Sequence, residues 1–106
     1  MTDEERIEAE AEARQRVLEQ ISAERRRQDL KWGGSQHDDK HSTAAFVQLI
    51  EDYAGWARTM AGMGAHDKAR NRLVQVAALA VAAVEAIDRA PNRILSRLWL
   101  EAQRGQ

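Results

Sequence analysis

His37, Asp38, Asp39, Lys40 and His41 place two imidazoles and two carboxylates within five consecutive residues of a 106-residue chain. Imidazole nitrogen suits zinc, manganese or nickel, and carboxylate oxygen suits magnesium or manganese. His37, Asp38, Asp39 and His41 are therefore candidate ligands for a divalent ion, completed by a second segment. The same letters also suit a polar loop leading into a helix, its carboxylates on water or backbone amides, and that plainer reading carries more weight. Glu51 and Asp52 add two adjacent carboxylates beside Tyr53. Neighbours on a helix diverge by about 100°, so both face one ion only if another element contributes.

A second group could bind rather than ligate. Val17, Leu18 and Ile21 form an apolar helical stripe, but the next positions on that face are Glu24, Arg25 and Gln28. Such a break in pattern marks either a polar network or a site. Arg25 offers a planar fork for phosphate or carboxylate, and Trp32 offers a face on which a flat ligand can stack. Gln75 is the one polar residue from Leu73 to Val84. If buried, its amide must find partners on a neighbouring helix or on a ligand. Glu24, Arg25, Gln28, Trp32 and Gln75 are the candidate ligand-binding set.

The elements that must position these residues are helices. Thr2 and Glu5 form a capping box at the head of a Glu-, Ala- and Arg-rich segment that meets no breaker before Gly33 and Gly34. WGGSQHDDKHS reads as a loop. Ser42 or Thr43 caps the next helix, and His66 or Asp67 the one after the Gly62/Gly64 turn. Pro91 ends that helix. The predicted helices span residues 3–30, 43–61, 67–89 and 92–103. The third carries LVQVAALAVAAVEAI, fifteen residues that are apolar nearly all the way round. That is short of the roughly 20 that cross a bilayer, so the run reads as the central helix of a bundle, covered on all sides. The fold class is all-α: an antiparallel helical bundle in a single domain, with the first and second long helices paired so that the candidate residues converge.

One chain of this size supplies a modest core, so a homo-oligomer, most simply a homodimer, is expected to complete the cover, sharing the apolar side of the second or last helix. A formal charge of −1 from 16 basic and 17 acidic residues speaks against nucleic acid or a membrane surface as partner. Arg25, Arg26 and Arg27 spread round a helix rather than forming a patch. No cysteine is present, and the acidic start lacks the zones of a signal peptide, so the expected location is the cytoplasm.

The segments ERRRQ, KWGG and HDDKH, with QVAALAVA further on, resemble small phage and prophage proteins, some of them similar to MazG-like, all-α nucleoside triphosphate pyrophosphohydrolases. The resemblance covers roughly residues 17–90. It implies an oligomeric helical bundle, a nucleotide ligand and a magnesium ion. Members of that family hold magnesium through a Glu-x-x-Glu motif and a later Glu-x-x-Asp motif. Here the first falls on Asp52 and Gly55, with Glu51 as a substitute, and the second on Arg72 and Gln75. Three of four carboxylates are replaced, which points to nucleotide binding with weak or absent turnover. Two other readings stay open: a non-enzymatic phage accessory protein that binds a host protein or a signalling nucleotide, and a DNA-associated regulator, for which only the arginine triplet speaks.

Overall fold

The computed structural model describes residues 1–90 together with Ala102 and Arg104. Four helices order the described chain: α1 (Asp3–Trp32), α2 (Gly34–Asp38), α3 (Thr43–Gly62) and α4 (His66–Arg89). Among the described residues there is no strand, and no helix is long and apolar enough to cross a membrane. The expected helix over residues 92–103 lies outside the described residues.

Each boundary has a local cause. Thr2 Oγ accepts from the Glu5 amide at 3.1 Å and donates to the Glu5 carboxylate at 3.0 Å, so two side chains close the start of α1. The helix then runs two residues further than expected, to Trp32. Gly33 stops it by turning left-handed, φ 104°, and donating its amide to Asp29 O at 2.9 Å. Gly34 is left-handed as well. Within the expected loop Gly34–Asp38 forms a single helical turn, while residues 39–42 stay non-helical. Two such glycines reverse the chain within two residues, after which Ser35 to Asp38 close a turn through Asp39 N–H to Ser35 O.

Ser42 caps α3 by accepting from the Ala45 amide at 3.0 Å. The start of α4 departs from expectation: the cap position is Ala65, and neither His66 nor Asp67 caps it. Gly64, φ 76°, lets Ala65 donate to Met60 O at 2.8 Å, so the turn is closed from behind and α4 begins one residue early. Ala90 takes the extended conformation that a residue before proline requires.

α4 is the hub, since α1, α2 and α3 all pack on it. Its alanines set the spacing. Ala78, Ala82, Ala83 and Ala86 are buried with Leu79, and Phe46 of α3 seats its ring against Ala82, Ala83 and Ala86. α3 and α4 run antiparallel, Phe46 lying near Ala86 and Trp56 near Arg72. α1 runs in the same sense as α4, with Gln20 beside Arg70 and Arg25 beside Glu85. The predicted face-to-face pairing of α1 with α3 is replaced by this arrangement, because the small side chains that permit close approach lie on α4.

The described residues do not cover α4 on all sides. Leu73 and Val84, on one face, are each 57% exposed, and Val81 is exposed as well. Every residue from Met1 to Gln20 is exposed. The radius of gyration, 18.1 Å, exceeds the roughly 13 Å of a compact 100-residue domain.

Candidate functional site: a polar hub and an open cleft

Where α1, α2 and α4 meet, Arg25 is the organising charge. Its Nη2 lies 3.3 Å from Asp38 Oδ2 and 3.1 Å from Asp29 Oδ1, and its Nε faces Glu85 Oε1 at 3.6 Å. Nη1 reaches Gln28 Oε1 at 3.5 Å, and Gln28 Nε2 donates to Glu24 Oε2 at 3.1 Å. Gln28 is 2% exposed, the most enclosed polar side chain described. The Asp29 contact is short but misaligned and the Glu85 contact is too long, so Asp29 Oδ1 and Arg25 Nε are each buried without a hydrogen bond. Of the three carboxylates around this guanidinium, Asp38 ties α2 to α1 and Glu85 approaches from α4, which leaves the fork of Arg25 facing its own chain.

An aromatic file runs beside this network. Trp32 stacks on His37 with ring centroids 6.3 Å apart, His37 meets His41 at 4.7 Å, and His41 meets Phe46 at 5.4 Å. His41 Nδ1 lies 3.1 Å from His37 O. Trp32 therefore joins the polar hub to the apolar core.

Three of the carboxylates considered as metal ligands are engaged by other side chains. Asp38 is buried on Arg25, Asp39 accepts from Arg89 Nη2 at 2.9 Å, and Asp52 accepts from Gln48 at 2.9 Å on an exposed face of α3. Glu51 is exposed. Among the described residues no three His, Asp or Glu side chains gather to hold a metal ion.

A separate cleft of about 520 Å³ opens between α1 and α4, lined by Gln20, Glu24, Arg27, Arg70, Asn71 and Gln75 together with Ala23 and Val74. Glu24 and Gln75, both singled out from sequence, face this cleft from opposite helices. Gln75 accepts from Arg72 Nη1 at 3.2 Å, one turn earlier on its own helix, and not from the Glu24–Arg25–Gln28 network.

Arg27 grips Glu24 with Nε and Nη2, each at 2.7 Å, which pulls the Glu24 carboxyl below its ordinary range and raises Arg27. Arg70 Nη2 donates to Gln20 at 2.7 Å. That is one of five guanidinium N–H groups, so Arg70 keeps donors for a second acceptor.

Gln20, Arg27, Arg70 and Asn71 were not among the sequence candidates. The signal was present: Asn71 and Arg70 stand four and five positions before Gln75, and Gln20, Glu24 and Arg27 follow helical spacing on α1. The unread step was that these two helices pair. Compared with known proteins, the chain matches no family model, no curated protein and no solved structure.

Proposed function

We propose that this protein binds a nucleotide in the cleft between α1 and α4, as a homo-oligomer, with little or no hydrolysis. The observation that carries this reading is Arg70, which keeps guanidinium N–H groups beyond its Gln20 contact, facing across the cleft an Arg27 held on Glu24 through Nε and Nη2, with the amides of Gln20, Asn71 and Gln75 lining the same space. Guanidinium forks take phosphate oxygens, and side-chain amides read the edges of a base or sugar. The resemblance to MazG-like phage proteins points to the same ligand class. Magnesium or manganese enters, on this reading, as a chelate on the nucleotide's phosphates.

The engagement of Asp38, Asp39 and Asp52 with cations and an amide of their own chain favours binding over turnover. The second reading, a phage accessory protein recognising a host protein or signalling nucleotide, draws on the same fact. Calorimetric titration with nucleoside mono-, di- and triphosphates, with and without magnesium or manganese, tests the proposal. Binding is expected, weakened about tenfold or more by Arg70→Ala, as for loss of a charge-assisted hydrogen bond. Absence of binding and of any thermal shift across the panel would remove the nucleotide and leave the host-protein reading.

A further inference from the structure

Among the described residues, two features are unpartnered and opposite in charge. The first is the front of α1. Residues 1–12 carry Asp3, Glu4, Glu5, Glu8, Glu10 and Glu12 against a single arginine, and every side chain from Met1 to Gln20 is exposed. Ile7, Ala11 and Leu18 fall on one side of this arm, and Ile7 and Leu18 are about half exposed. A free helix of this length is marginal in water, and its apolar stripe gains stability only against another surface.

The second is a cleft of about 390 Å³ at the α3–α4 corner, lined by Trp56, Thr59, Met60, Met63, Ala65, Lys68 and Arg72. Trp56 is 47% and Met63 77% exposed. The Arg72 guanidinium sits 4.8 Å over the Trp56 ring and 5.5 Å from Tyr53, so a cation is fixed on the apolar floor. Lys68 lies one turn away on α4.

The two features stand at the same end of the molecule, because α1 runs in the sense of α4 and its front continues past the Gln20–Arg70 contact. α1 is one unbroken helix, so its exposed arm does not fold back into the cleft of its own chain. A second copy, related by a two-fold axis, can lay its arm there and receive the first copy's arm in return.

We infer that two copies of this chain exchange α1 arms, the Ile7/Ala11/Leu18 stripe entering the partner's Trp56 cleft and Glu4 and Glu8 meeting the partner's Lys68 and Arg72. This rests on the homo-oligomer reading above and specifies its contact. Both pairs are spaced i, i+4 on their helices, so they match in register. The apolar stripe supplies the burial and the charges fix the direction of the arm.

Charge exchange tests the inference by sedimentation equilibrium, with helical content followed by circular dichroism. The wild-type chain is expected to be a dimer that weakens as salt rises. The pair Glu4→Lys/Glu8→Lys, and separately Lys68→Glu/Arg72→Glu, should each raise the dissociation constant at least tenfold. An equimolar mixture of the two variants should dimerise again, since both exchanged contacts are then complementary. If the cleft variant loses helix, Met63→Glu on the exposed rim replaces it and should also weaken the dimer. Charge variants that dimerise like wild type, or a mixture that does not recover, would overturn the arm exchange while leaving a dimer held elsewhere. A wild-type chain that is monomeric throughout would remove the homo-oligomer reading together with it.

Discussion

Arg25 shows how a residue that suits ligand binding can be consumed by structure. Its side chain is 14% and that of Asp38 9% exposed, and the pair ties α2 to α1. Removing one partner strands the other's charge away from water, so Arg25→Ala is expected to lower stability by about 3 kcal/mol in urea unfolding. It should loosen α2 more than α3, as protection of the Asp39 and His41 amides in hydrogen exchange would report. An unchanged unfolding midpoint would mean that Asp38 finds solvent without help. Glu24 gives a pH signature at the same scale. The hydrogen bond from Arg27 leads the causes that set its folded pKa below the ordinary 4.5. Its stabilising contribution is then present above that value and lost as pH falls through the lower, folded value. Acid titration of the unfolding midpoint should show this loss, and Glu24→Gln should flatten the curve there. A variant with the same acid slope as wild type would contradict the assignment.

At the scale of the elements, the alanine-rich face of α4 decides the packing. Ala82 is 1% exposed and lies beneath Phe46. A leucine there must push α3 away, and overpacking of this kind costs about 1–3 kcal/mol. Ala82→Leu is therefore expected to lower the melting temperature, whereas Val84→Leu on the exposed side of the same helix should not. Equal effects would mean that both faces are packed.

Much of this scale was legible in the chain. Thr2, Ser42 and the glycines announce the caps and turns, and the LVQVAALAVAAVEAI run announces the hub. What was hidden was pairing. Helical periodicity names the apolar face of a helix but not the helix that covers it, so α1 was expected on α3. That misassignment also hid Arg27, Arg70 and Asn71, which become a cleft only once α1 lies beside α4. The turn of α2 was hidden for a different reason. Its residues are poor helix formers, and the tertiary contact between Arg25 and Asp38 holds them in place.

The whole molecule is elongated, with extents of 57 × 36 × 27 Å, and its core is thin. Phe46 and Leu79 are the only large apolar side chains among the buried residues described. Described residues that bury so little gain from partners, which is the thermodynamic ground for both the proposed nucleotide site and the proposed arm exchange. Binding to the folded state alone stabilises by mass action. Saturating nucleotide should therefore raise the melting temperature, and dilution of the protein should lower it.

The most direct measurement is a residue-resolved titration of isotope-labelled protein with a magnesium nucleoside triphosphate, followed by amide and side-chain chemical shifts. The shifts are expected to gather on Gln20, Glu24, Arg27, Arg70, Asn71 and Gln75, on both walls of the α1–α4 cleft. Saturating nucleotide that moves none of these resonances, or moves only His37 to His41 or the Trp56 corner, would contradict a nucleotide site between α1 and α4.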